Sequence, residues 1–336
     1  MDPGLSLAVV LALAFAFTNG VQDSANSIAT LIATRAGRPG KALVMATAGM
    51  FIGPFLLGSA VATTIAGIVD VEADETIEVV TAALAAALVW NGFAWNRGLP
   101  SSSSHALVGG LAGAALAAAG SGAVNWGGLD GWRPVGVLGV LVVLAISPFV
   151  GALASLVALR SLRRALRRGT RRFDGVVRRG QWAASALLSI GQGANDAQKA
   201  IGVLAAVLFA HGTTSSLDAP LWATAAAAAA MTAGAAVGGW RIVRTIGRRI
   251  YDLRPLDALA SQSSSAAVIM VASATGAPIS STHVVSSSVV GAGIGRRRWS
   301  RIRWSVVTAM GLAWVTTVPA TALIAAAVLS VWRWLS

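Results

Sequence analysis

The sequence predicts an all-α integral membrane protein made of two inverted-topology repeats, with broken helices and with Pro-led helical hairpins that are either re-entrant or fully spanning. Three observations carry that expectation. Of 336 residues, 55% are hydrophobic and 12% charged, and the mean hydropathy is +0.70, too apolar for a soluble domain of this length. The basic residues fall in short clusters between apolar runs. Two motifs each occur twice, in the same order. Cysteine is absent, which excludes disulfides and thiolate metal sites. The net charge of +13 does not mark a nucleic-acid binder, because the arginines sit in the short loops where topology signals belong.

Placing the basic clusters Arg35 to Lys41, Arg160 to Arg179, Arg241 to Arg254 and Arg296 to Arg303 in the cytoplasm fixes a path. The run from Leu5 has no basic leader or cleavage site, so no removable signal peptide is expected. Segment 4–34 then runs inward and 41–69 returns outward past the acidic residues Asp70, Glu72, Asp74, Glu75 and Glu78. Segment 76–119 goes in and out as two arms, and 134–159 ends at the large basic loop. The second half, 181–210, 219–240, 256–295 and 303–335, starts inside and ends outside. Arg133 and Arg333 are the exceptions, placed outside by this path. The division is therefore a first transmembrane repeat over 1–159, an Arg-rich cytoplasmic loop over 160–180 suited to anionic lipid, and a second repeat over 181–336. An odd number of crossings separates the halves, so the repeats are inverted. Inverted repeats are a transporter signature, with a site near the midplane where the copies meet.

The first motif is "NGVQDSANSIAT" at 19–30 and "QGANDAQKAIGV" at 192–203, with Asp23 opposite Asp196. These two are the only acids deep in apolar segments, where a charge costs roughly 2.5–3.5 kcal/mol. Asn19, Gln22, Asn26, Asn195 and Gln198 offer amide oxygens beside them, and Gly20, Gly191, Gly193 and Gly202 would let the helix unwind and turn carbonyls inward. Carboxylate, amide and backbone oxygens suit a hard monovalent cation, Na+ at Asp23 and Asp196, and a protonated carboxyl suits H+. Polar helix–helix contacts, or pairing with Lys199, are the structural alternative.

The second motif is "GLPSSSSHALVGG" at 98–110 and "GAPISSTHVVSSS" at 276–288. Pro100 and Pro278 stop one arm, and the hydroxyl residues Ser102, Ser103, Ser104, Ser280, Ser281 and Thr282 fall at the N-cap and first turn of the next helix. Helix N-termini with added hydroxyls suit an oxyanion, and two of them facing each other would hold a tetrahedral one from both sides. His105 and His283 follow as site-lining residues, or merely as donors to a carbonyl.

"GANDAQKAIG" at 193–202, "GLPSSSSHALVGG" and "GAPISSTHVVSSSVVGAGIG" together resemble the signatures of the PiT family of inorganic phosphate transporters, over nearly the whole chain. The resemblance implies uptake of orthophosphate driven by Na+ or H+ in the cell membrane, commonly by a homodimer, with no cofactor. It implies that Asp23, Asn26, Asn195, Asp196 and Gln198 bind the coupling cation, and that Ser103, Ser104, Ser281 and Thr282 donate to phosphate. Gln22 stands where the family usually has Asn, the serine run 101–104 lacks the usual threonines, and a compact Arg-rich loop replaces the hydrophilic centre of longer members. Three other readings are a sulfate permease on the same scaffold, an anion channel, and an intramembrane serine hydrolase using Ser104 with His105 or His283.

Overall fold

The computed structural model describes residues 2–130, 133–167 and 173–335. The middle of the Arg-rich loop, 168–172, lies outside them. The first half runs α1 (Pro3–Ala33), α2 (Pro39–Ile52), α3 (Ala60–Ala66), α4 (Ala73–Arg97) and α5 (Ser103–Ala119), then β1 (Gly128–Asp130), β2 (Arg133–Val135) and α6 (Gly136–Ala165). The second runs α7 (Phe173–Gln192), α8 (Gln198–Ala210), α9 (Leu221–Val237), α10 (Trp240–Arg244), α11 (Pro255–Thr275), α12 (Ser281–Gly295) and α13 (Trp304–Leu335). The short antiparallel pair β1–β2 ahead of α6 is the one departure from the all-α expectation among the described residues. Among the described residues, four helices are long and apolar enough to cross a membrane, and two further bent pairs qualify as broken spans.

The breaks fall elsewhere than expected. The glycines around Asp23 and Asp196 do not unwind their helices: α1 is continuous from Pro3 to Ala33, and α7 joins α8 through one widened π turn at Gly193–Ala197. Those glycines serve close packing instead. A Cβ on Gly20 would overlap the Met231 carbonyl of α9, and one on Gly193 the Met50 carbonyl of α2. The reciprocal contacts are Gly234 on the Phe17 carbonyl and Gly53 on that of Ile190. The bends lie in the partners, 74° between α2 and α3 and 58° between α9 and α10.

Contacts of the same kind run in both directions between the two halves of the chain. Helix α5 packs along α13 and α12 along α6, each helix crossing into the other half. Gly98 and Gly276 end α4 and α11 in the left-handed region, at φ 64° and 77°, where a side chain would be strained. Thr245 donates to the Gly98 carbonyl at 2.9 Å and Thr64 to the Gly276 carbonyl at 3.0 Å, so each hairpin tip is pinned by the bent helix of the opposite half. Helices α1 and α7–α8 lie side by side in opposite directions. Thr34 bonds Gln181 at 2.8 Å and Trp182 bonds the Ala36 carbonyl at 3.1 Å at one end, and His211 lies 3.9 Å from Asp2 at the other.

The basic clusters share one end of the molecule. Arg35 and Arg178 line one depression there, and Arg160, Arg163, Arg164, Arg167 and Arg297 line another. Arg333 lies at the far end, paired with Glu75 at 2.8 Å and Glu78 at 3.0 Å, which gives the exception in the charge pattern local counter-ions. Along α1 the buried apolar residues form two groups, Leu5 to Ala16 in one core and Ala25 to Leu31 in the other, with Asn19, Gln22, Asp23 and Ser24 buried at the junction. The polar stretch thus sits halfway along a helix about 46 Å long.

Candidate functional site

The cluster forms because helical spacing puts Asn19, Asp23 and Asn26 on one face of α1, and the N-terminus of α12 meets that face. Asp23 Oδ1 accepts hydrogen bonds from Ser281 Oγ at 2.9 Å, Asn26 Nδ2 at 3.1 Å and Gln192 Nε2 at 3.3 Å. Asn26 Nδ2 also donates to Thr282 Oγ1 at 3.1 Å. Asp23 Oδ2, Asn26 Oδ1 and both amide atoms of Asn19 are buried with no protein partner. Three of those four atoms are oxygens, the ligand type that hard cations take.

The second half is built differently. Lys199, fully buried, pairs with Asp196 Oδ1 and donates to the Ile279 carbonyl at 2.8 Å. Ser104 Oγ donates to the same carbonyl at 3.1 Å, so α5, α8 and the lead-in to α12 converge on one oxygen. Asp196 Oδ2 and Asn195 Oδ1 are buried without partners, and Asn195 Nδ2 holds Ser273 Oγ at 3.3 Å and the Ala277 carbonyl at 3.1 Å. Lys199 holds the Ile279 carbonyl and Ser281, two residues on, holds Asp23, so the two halves meet in one centre at the entry of α12.

Both Pro-led hairpins reach it. Ser102 and Ser280 are the N-caps of α5 and α12, accepting from the backbone N–H of His105 at 3.2 Å and of His283 at 3.3 Å. Helix α5 does not start at the end of the molecule: Ser101, just ahead of it, lies 3.5 Å from Thr317 near the middle of the 32-residue α13. Trp314 fixes the same tip by donating to the Pro100 carbonyl at 2.9 Å. The two histidine rings face each other with centroids 4.7 Å apart, and Trp314 covers His283 at 3.9 Å. His105 Nδ1 is 2.8 Å from Ser102 Oγ, whereas both His283 nitrogens lack partners.

The structure thus gathers Asp23, Asn26, Asn195, Asp196, Lys199, Ser104, Ser281 and Thr282, with Asn19 on the same face. Ser103 is half-buried and Gln22 buried with its Nε2 unpaired. Gln198 is directed elsewhere. Its Oε1 accepts from the backbone N–H of Val61 at 2.9 Å and of Ala62 at 3.3 Å, and its Nε2 donates to the Gly58 carbonyl, so it caps the start of α3. Gln192 is a member that the sequence reading did not single out. It stands one helical turn before Asp196, as Asn19 stands before Asp23, and that parallel was its signal.

Comparison with known proteins points one way. The phosphate transporter family matches residues 19–325. A Bacillus subtilis (strain 168) protein described as "Probable low-affinity inorganic phosphate transporter" is 39% identical over 324 residues, covering 95% of this chain and 94% of its own. A Mycobacterium tuberculosis (strain ATCC 25618 / H37Rv) protein of the same description is 39% identical over 325 residues, covering 96% of this chain and 76% of its own. A solved structure described as "The sodium-dependent phosphate transporter" superposes with a TM-score of 0.86 at 27% identity, over 99% of this chain and 100% of that one. Relatives and fold are those of transporters and not of enzymes, which removes the hydrolase reading.

Proposed function

The chain belongs to the phosphate transporter family, and from that premise we propose that it imports inorganic phosphate by symport with a monovalent cation, Na+ or H+, through alternating access at the cluster between two inverted repeats. The observation that carries the proposal is the meeting of Asp23 with the hydroxyl-capped start of α12, at 2.9 Å through Ser281. Cation and anion sites there share donors. While Asp23 is bare, its charge holds the O–H of Ser281 and the amides of Asn26 and Gln192. A cation taken up by Asp23 Oδ2, with the free oxygens of Asn26 and Asn19, weakens the carboxylate as an acceptor. Ser281 then becomes free to donate to phosphate, together with the N-terminal amides of α12 and α5, Thr282, Ser103 and Ser104. Binding of the anion therefore follows binding of the cation, which is what coupling requires.

The antiparallel run of α1 against α7–α8, and the crossing of α5 and α12 into opposite halves, support rocking of two matching bundles about the cluster. In this reading the protein works as a homodimer in the plasma membrane, with its basic end in the cytoplasm and its arginines against anionic lipid. The test is uptake of radiolabelled phosphate by proteoliposomes under an inward Na+ gradient, an inward proton gradient or neither, with excess sulfate as competitor. Cation-driven accumulation that sulfate does not reduce is expected. Uptake indifferent to both gradients would indicate a channel, and displacement by sulfate would reassign the substrate.

A further inference from the structure

The two Asp motifs match in spacing but not in charge. Three residues after Asp23 stands Asn26, and three after Asp196 stands Lys199. Both side chains do the same two things in the structure. Each donates to Oδ1 of its own Asp, and each reaches the entry of α12, Asn26 at Thr282 Oγ1 and Lys199 at the Ile279 carbonyl. One is a neutral amide whose Oδ1 remains unpaired, and the other is an ammonium with no exposed surface. An ammonium held by a carboxylate and a backbone carbonyl has the surroundings of a desolvated alkali cation.

We propose that the Lys199 ammonium is a tethered cation that fills the second half's ion position, so that only the Asp23 half takes a cation from solution. This rests on the symport reading above and sets its stoichiometry. The charge count agrees. Two carboxylates at mid-depth with no counter-charge are costly, and Lys199 offsets one of them permanently. One mobile cation at Asp23 then brings the centre to neutrality before a phosphate dianion enters. Without the lysine, two cations would be needed for the same electrostatic state. Lys199 is thus a stoichiometry-determining residue, and a purely structural lysine would leave cation number untouched.

Lys199→Asn copies the residue of the first half and tests the point. The Na+ dependence of phosphate uptake is measured for wild type and variant in proteoliposomes at fixed pH, alongside the Na+ dependence of melting in detergent. The Hill coefficient for Na+ is expected to rise by about one in the variant, with a saturable Na+-dependent gain in melting temperature larger than the one-site gain of wild type over the same concentrations. Lys199→Met, which removes the charge without restoring an amide oxygen, should lose uptake and show a smaller gain. An unchanged Hill coefficient with active uptake would overturn the proposal. If Lys199→Asn is unstable, high Na+ should restore its melting transition and N-methylglucamine should not; absence of rescue also counts against the tethered cation. Wild-type uptake that ignores every gradient would sink the symport reading instead, and the melting series would still decide whether Na+ replaces the ammonium.

Discussion

Replacement of Asp23 by Asn is expected to abolish cation-coupled uptake while leaving the fold nearly as stable as wild type. Asp23 Oδ1 accepts three side-chain hydrogen bonds, from Ser281, Asn26 and Gln192. Each becomes neutral in the variant, a loss of about 1 kcal/mol per bond and about 3 kcal/mol in all. Against that, the substitution removes a buried charge whose presence at mid-depth costs roughly 2.5–3.5 kcal/mol. The two effects are of the same size and opposite sign, so melting in detergent should move by only a few degrees. Function has no such compensation, because the amide nitrogen replaces Oδ2, the oxygen left free for a cation. The assay pairs melting with phosphate uptake under each gradient. Uptake still driven by a cation gradient in Asp23→Asn would refute the assignment of the coupling site. Collapse of the fold with the charge removed would refute the energetic argument.

Ser281→Ala removes a donor at the α12 entry, and is expected to raise the apparent KM for phosphate several-fold while changing cation dependence less; equal loss of both would make Ser281 a structural prop for Asp23. Gly20→Val and Gly193→Val place a side chain against the Met231 and Met50 backbones, and each should block folding or lower melting sharply by separating helices that touch through main chain. Thr64→Val and Thr245→Val each delete one tip-pinning hydrogen bond worth about 1 kcal/mol, and the two losses should be similar in melting and nearly additive in the double variant.

The sequence pattern revealed the helix order, the paired motifs and the serine N-caps because each depends on local rules: apolar run length, breaks at basic loops, and Gly, Pro and Ser at fixed offsets. It misjudged the role of the glycines, since unwinding and close approach call for the same residue, and only the Met231 and Met50 carbonyls decide between them. Helical geometry could have carried the site further than composition did. Residues two apart on a helix point to different faces, so Gln198 could not share the face of Asp196, and it caps α3 instead. Residues three or four apart share a face, which places Gln192 and Lys199 with Asp196 as surely as Asn19 and Asn26 with Asp23. What no local rule supplies is the partner across the interface. Ile279 has no side-chain chemistry to attract notice, yet its carbonyl collects both Lys199 and Ser104. The two halves differ in charge beside their carboxylates: the first sets the neutral amide of Asn26 against Asp23, and the second sets the ammonium of Lys199 against Asp196.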